Sequence, residues 1–272
     1  MIARGDHHTL LQSPQAVQLM MSCRRARAIP APAGLQNHAD AGPIPTYARV
    51  PISNAFADIR ILVFMQTQTI DHPLVAHHLT QLRDRSTSPE IFRALVGRLT
   101  NLLVFRATET IPLCSKTVET PLTSYEGQVI DCSIGLVPIL RAGLGMIDPV
   151  LSLIPSAEVW HLGLYRDEET AQPVEYYSKL PDGRPVDLAL VLDPMLATGG
   201  SAIAAYQTLK RWGVKEIRLL SIIAAPEGIQ RLEEECPDLG VFVCAIDSHL
   251  NDQKFIVPGL GDAGDRIFHT LH

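Results

Sequence analysis

Leu188-Ala189-Leu190-Val191-Leu192-Asp193-Pro194-Met195-Leu196-Ala197-Thr198-Gly199-Gly200-Ser201 opens with five apolar residues, ends that run in a carboxylate and then turns through small residues. The run has the length of a buried strand. After Ser201 the spacing of Ile203, Tyr206, Leu209, Lys210 and Trp212 is near helical, with Gly213 as the stop. Strand, acid, Thr-Gly-Gly-Ser and helix are what a phosphate-binding turn requires. Glycines let the backbone approach an anion closely, and a helix start offers unpaired N–H groups and a favourable dipole. Thr198 and Ser201 add hydroxyl donors, and Asp193 stands at the strand's carboxyl end, where open α/β sheets place their ligands. Gly-Gly-Ser alone reads equally well as an ordinary turn; the strand-terminal acid and the hydroxyl pair favour the anion site. Neither of two familiar phosphate loops is present. There is no G-x-x-x-x-G-K-[ST], and the G-x-G of Gly143 and Gly145 lacks its third glycine.

The flanking sequence predicts helices over Pro73–His78 and Glu90–Phe105, the latter with Ile91, Leu95, Leu99, Leu102 and Leu103 on one side. Strands are predicted over Val129–Leu140, Val159–Leu164, Leu188–Leu192, Glu216–Ala225 and Gly240–Ile246, and a helix over Gly228–Glu235. Polar Tyr165–Arg184, with Pro173 and Pro181, suits a projecting hairpin or flap. Strands alternating with helices predict an α/β fold, a mostly parallel sheet flanked by helices on both faces.

Composition narrows the class. The chain has 272 residues, 46% of them hydrophobic, and a net charge of -6, which gives no basis for nucleic-acid binding. Five cysteines without a C-x-x-C pair favour reduced thiols in a cytoplasmic protein, with Cys132 read as core. No apolar run approaches the ~20 residues that span a membrane. Residues 1–66 differ in character: six Arg, three Asp, no Lys or Glu, and prolines at 30, 32, 43, 45 and 51. They read as a disordered N-terminal extension and fit neither a secretory signal nor a basic amphipathic transit peptide; residues 67–272 read as the folded domain.

Asp193–Ser201 resembles the phosphoribosyl-pyrophosphate (PRPP) loop of the type I phosphoribosyltransferases. Three further segments narrow the resemblance to the uracil phosphoribosyltransferase family: Val137–Met146 (VPILRAGLGM), Gly163–Thr170 (GLYRDEET) and Pro258–Asp265 (PGLGDAGD). They occur in that family's order, and the likeness runs from about His72 to the C-terminus. Its members usually begin just after Met65, so a mis-assigned upstream start is the alternative to a disordered extension. The implied fold is that of type I phosphoribosyltransferases, with a flexible flap and a C-terminal uracil-binding hood. The implied reaction transfers ribose 5-phosphate from PRPP to uracil, giving UMP and pyrophosphate.

The resemblance also assigns residues. Asp193, Pro194, Met195, Leu196, Ala197, Thr198, Gly199, Gly200 and Ser201 bind PRPP, with Ala197–Ser201 gripping the 5-phosphate and Asp193 facing the ribose and the developing oxocarbenium charge. Arg141 and Arg166 are the pyrophosphate partners, since guanidinium groups match phosphate oxygens and stay charged. Backbone groups of Ile256, Gly261 and Ala263 clasp uracil, with Asp262 turned to the PRPP side. Mg²⁺ is implied as a companion of the pyrophosphate, with no protein cage, because Pro194 occupies the place where many related transferases carry a second acid. Adjacent His77 and His78 read as surface residues. Two departures stand out: Phe255 where the family often has tyrosine, and Arg106 where a glutamate is frequent. GTP as an allosteric activator and a homo-oligomer complete the implications. A PRPP- or nucleotide-sensing regulator of the same fold and a transferase for another base are the rival readings; paired acids in the loop would favour the latter, and Pro194 speaks against it.

Overall fold

The computed structural model describes residues 67–166, 173–178 and 185–270, without side-chain detail for 163–166 and 173–178. The chain begins with β1 (Gln68–Thr69), α1 (Pro73–Arg83), α2 (Pro89–Ala107) and the strands β2 (Leu113–Glu119) and β3 (Ser124–Ile130). β4 (Ile134–Pro138) leads through a 3-10 turn (Ala142–Met146) into α3 (Ile147–Leu153), β5 (Glu158–Val159), β6 (Leu162–Arg166) and β7 (Pro173–Ser178). Then come β8 (Leu188–Leu192), β9 (Met195–Leu196), α4 (Gly200–Trp212), β10 (Glu216–Ala224) and α5 (Pro226–Glu235). β11 (Gly240–Ile246), β12 (His249–Leu250), β13 (Ile256–Val257) and α6 (Ala263–Phe268) complete the described chain.

The apolar run 188–192 lies inside the sheet because it is buried on both faces. The sheet order is β1-β11-β10-β8-β4-β5, with β9 paired to the far end of β10, and the pairings are parallel. Alternate residues face two separate cores. Leu188, Leu190 and Leu192 pack with Leu136, Leu220 and Phe242 against α1, α2 and α3. Ala189 and Val191 pack with Val137, Leu219 and Val243 against α4 and α5. Each fully buried Val, Leu or Phe here contributes roughly 1.5–3 kcal/mol, so the near-continuous apolar strands are those of a parallel sheet covered on both sides.

Several boundaries differ from expectation. α1 continues past His78 to Arg83, because Val75, Leu79 and Leu82 extend one buried stripe. In α2 Ile91 is exposed and its neighbour Phe92 is buried instead. The predicted strand 129–140 is two strands, β3 and β4. The break is held by Asp187, whose Oδ2 accepts from the Ser133 N–H (2.8 Å) and Oγ (2.7 Å), while the Asp187 N–H donates to Ser133 Oγ (3.0 Å). Likewise the predicted strand 159–164 is β5 and β6, divided at Trp160, whose ring meets Trp212 edge-on at 4.5 Å. β2 and β3, unforeseen as a pair, form an antiparallel hairpin apart from the main sheet. β6 and β7 also pair antiparallel, so the hairpin expected in 165–184 is present at the backbone level, while residues 167–172 and 179–184 lie outside the described residues. The expected N-terminal extension, through residue 66, lies outside them too. Cys132 packs partly buried against the core, and burial pushes its thiol up.

Candidate active site

β8 delivers Asp193 to the carboxyl edge of the sheet, and the next residues are held to β10. The Asp193 N–H donates to Leu220 O (3.2 Å), Pro194 O accepts from the N–H groups of Ile222 and Ile223 (both 3.1 Å), and Leu196 O accepts from Ala225 N–H (2.9 Å). The loop is therefore an extension of the sheet, with little freedom of its own. It ends at Gly199, which adopts the left-handed region (φ 77°) and starts α4 with no side-chain cap. The first-turn N–H groups of an uncapped helix point outward unsatisfied and carry the positive end of the helix dipole. Thr198 and Ser201, both half-buried, flank that turn. α5 supports it from below. The α-carbon of Gly228 packs so closely that a Cβ there would stand 2.2 Å from Ala197 O.

Asp193 is half-buried as a residue, but its carboxyl is withdrawn from water. Burial pushes it up to about 7, opposed only by the N–H of Met195, which donates to Oδ1 at 3.2 Å. A carboxylate with so little local compensation is poised for a cationic partner.

Arg141 follows β4 and opens the 3-10 turn. The turn docks against the end of β8: the Ile139 N–H donates to Leu192 O (2.9 Å), and a Cβ on Gly143 would stand 2.3 Å from that same oxygen. Only glycine permits this approach, which sets the Arg141 turn beside the strand end that carries Asp193. The Arg141 side chain is 59% exposed and its Nη2 lies 3.1 Å from Asp265 Oδ1. Arg166 closes β6, whose Leu162 bridges Ile139 at the end of β4.

The C-terminal segment meets the same edge. β12 and β13 form a short hairpin that places Ile256, followed by a cis Val257–Pro258 bond and two left-handed glycines, Gly259 (φ 64°) and Gly261 (φ 76°). Asp262 caps α6, its Oδ1 accepting from the Asp265 N–H at 2.9 Å. α6 lies on the Arg141 turn: a Cβ on Gly264 would stand 3.2 Å from Asp262 Oδ1 and 3.6 Å from Arg141 Nη2. Gly261 and Asp262 are exposed, whereas Ile256 and Ala263 are buried. The structure thus brings Arg141, Asp262 and Ala263 together and sets the Arg141 turn against the strand leading to Asp193. Residues 194–201 follow along that edge. Arg166 is placed by its backbone alone.

Sequence reasoning missed the side chains that support this segment. Asp247 is 8% exposed and pairs with Arg83. Arg266, 9% exposed, donates to Leu82 O (2.8 Å), Leu260 O (2.8 Å) and Asp84 O (2.5 Å), and its guanidinium lies over the Phe92 ring at 4.2 Å. Glu227 accepts from the Leu250 N–H at 2.9 Å, tying the β12 hairpin to α5. The partners lie far apart in sequence, and the only local hint is the position of Arg266 directly after Gly264-Asp265.

An uncapped helix start, a strand-terminal acid and an exposed arginine line one edge of a mostly parallel sheet, the framework of an α/β protein. The sequence model of uracil phosphoribosyltransferases matches residues 69–270. A uracil phosphoribosyltransferase of Roseiflexus castenholzii is 59% identical over 73% of this chain and 96% of its own length. One of Brevibacillus brevis is 52% identical over 74% and 96%. The AQ2163 protein of Aquifex aeolicus, a solved structure, superposes with a TM-score of 0.71 at 37% identity, covering 75% of this chain and 98% of its own. The chain belongs to the uracil phosphoribosyltransferase family.

Proposed function

We propose that the chain transfers ribose 5-phosphate from PRPP to uracil, giving UMP and pyrophosphate, in a site built from Asp193–Ser201, Arg141, Arg166 and the segment Ile256–Ala263. The observation that carries this reading is the meeting of the Arg141 turn with the end of β8 on one side and with α6 on the other. One arginine thereby stands between the phosphate loop and the base-binding segment, where the leaving group must lie.

In the reaction the C1–N1 bond forms as the bond from C1 to pyrophosphate breaks, and uracil's N1 proton is released to water as pyrophosphate departs. The uncapped start of α4, with Thr198 and Ser201, holds the 5-phosphate. Asp193 faces the ribose, and its desolvated charge is worth most when C1 becomes cationic. Arg141 and Arg166 neutralise the pyrophosphate. Uracil's O2–N3–O4 edge alternates acceptor, donor and acceptor, so the backbone of Ile256, Gly261 and Ala263 complements it and leaves cytosine's amino group unpaired. The donor set fits magnesium that arrives on the pyrophosphate: Asp193 is followed by Pro194, and Asp262 is the other carboxylate offered to the ion or its waters. Bound there, magnesium would supply charge neutralisation at the leaving group.

The flap, the hood, the cytoplasmic setting and GTP as activator belong to the same reading. A homo-oligomer is supported by the β2–β3 hairpin, which exposes Leu113, Val118, Leu122, Tyr125, Val129 and Ile130. Among the described residues no helix is long and apolar enough to cross a membrane. A steady-state assay with PRPP and Mg²⁺ and, in parallel, uracil, orotate and hypoxanthine, with and without GTP, tests the proposal. UMP from uracil alone is expected; reaction with hypoxanthine or orotate but not uracil would overturn it.

A further inference from the structure

We propose that Arg83 and Asp247 are positioning residues for the base: as one ion pair they hold both polar backbone groups of Gly259 and so set the backbone that faces uracil. The inference rests on the uracil reading of Ile256–Ala263.

The geometry is specific. Arg83 Nη2 lies 2.6 Å from Asp247 Oδ1, and Nη1 donates to Oδ2 at 2.8 Å, a two-point pairing. The same Nη1 donates to Gly259 O at 2.8 Å, and Asp247 Oδ2 accepts from the Gly259 N–H at 2.9 Å. Donor and acceptor of one peptide residue are thus gripped by the cation and the anion of one pair. The Asp247 side chain is 3% exposed and that of Arg83 23%, so this pair works in a poorly solvated setting.

The grip is transmitted directly to Ile256. A Cβ on Gly259 would stand only 2.1 Å from Ile256 O, and the residue holds φ 64°. Gly259 and the Ile256 carbonyl are therefore in contact, and Gly259 cannot shift without moving it. On the other side Arg266 binds Leu260 O together with Leu82 O, the residue before Arg83. The end of α1 and the base-binding turn are one framework. Burying charges costs desolvation that apolar packing would avoid. What an apolar pair cannot provide is a donor for a carbonyl and an acceptor for an N–H on the same side of a turn.

Kinetics and melting of four enzymes test this: wild type, Arg83→Met, Arg83→Lys and the double variant Arg83→Met/Asp247→Asn. In Arg83→Met the KM for uracil should rise about tenfold or more, as expected of a misplaced binding group, with the KM for PRPP changed less than about twofold. Arg83→Lys, which keeps one cationic donor, should show a smaller rise. The double variant leaves no unpaired buried carboxylate, so its Tm should recover most of the loss. Its uracil KM should stay raised, because Gly259 O still lacks its donor. If the uracil KM recovers together with Tm, or both KM values rise in parallel, the pair is merely structural and the proposal falls. Should Arg83→Met fail to fold, Arg83→Lys and the double variant still separate uracil binding from stability and decide between the two roles. A wild type inactive toward uracil would overturn the functional reading itself, whereas an active wild type with unchanged variants overturns only the positioning role.

Discussion

Replacing Asp193 by Asn should make the protein more stable at neutral and alkaline pH while it loses activity. The Asp193 carboxyl titrates near 7 in the folded chain against 3.8 when solvated. At about 1.4 kcal/mol per decade of proton affinity, ionising it inside the fold costs about 4 kcal/mol. The sign follows from linkage. Between pH 4 and pH 7 the native state keeps a proton that the unfolded chain has lost, so wild-type stability falls as pH rises through this window and levels off above 7. Asn has no such dependence. Its Oδ1 still accepts from the Met195 N–H, but its amide hydrogens are left without a partner at a cost of about 1–3 kcal/mol. The stability difference, variant minus wild type, should therefore grow by about 3 kcal/mol from pH 5 to pH 8 and leave the variant ahead at pH 8. Urea unfolding of both proteins at pH 5, 6, 7 and 8 measures it, and contributions from every other titrating group cancel in the difference. In the same preparations kcat should fall by roughly 10²–10³-fold, the effect of removing one preorganised electrostatic group. A stability difference flat with pH would refute the desolvated carboxylate, and near wild-type turnover would refute its catalytic role.

Arg141→Ala should raise the KM for PRPP about 10- to 100-fold, the worth of a charged hydrogen bond, with a smaller effect on uracil; equal effects on both substrates would remove Arg141 from the pyrophosphate. Gly228→Ala forces a methyl group toward Ala197 O, 2.2 Å away, and overpacking of this kind costs about 1–3 kcal/mol. Calorimetry should show a lowered Tm and kinetics a raised KM for PRPP, since the displaced residue belongs to the phosphate loop. A chain that begins at Met65 should melt at the same temperature and turn over uracil at the same rate, because the family match begins at residue 69; a loss of several degrees would place the preceding residues in the folded unit.

The central strand and its loop were legible because local and global demands coincide there. Five apolar residues ending in an acid have the length of a doubly covered strand, and the acid, the hydroxyl pair and the helical spacing after Ser201 together favour a helix start over an ordinary turn. The same logic explains what was missed. β2 and β3 face solvent on both sides, so no alternation of apolar and polar residues marks them. Val129–Leu140 read as one strand because apolar residues occur on both sides of the break and no glycine or proline marks it. The break is enforced by Asp187, 54 residues later. The turn proposed to hold the base stood out through its family-like Pro258–Asp265 segment, its glycines alone reading as a surface turn, but Arg83 and Asp247 are 164 residues apart, and each alone looks like an ordinary surface charge.

That division has a chemical reason. Uracil is neutral and small, so in the proposed site its recognition falls to N–H and C=O groups whose identity no side chain encodes. Discrimination against cytosine then depends on leaving a polar group unpaired when the wrong base is present. A turn able to relax by an ångström would re-form the missing bond and lose the distinction. On the proposed reading, rigid placement of the backbone is itself the specificity element, and the charges that hold Gly259 supply it from behind. Arg141 is the exception. Its side chain is exposed, as an anionic substrate would require, yet it pairs with Asp265 on the helix that follows the proposed uracil turn. In the proposed site a pyrophosphate drawn to Arg141 would compete with that carboxylate, which would couple occupancy of the PRPP subsite to the segment that receives the base.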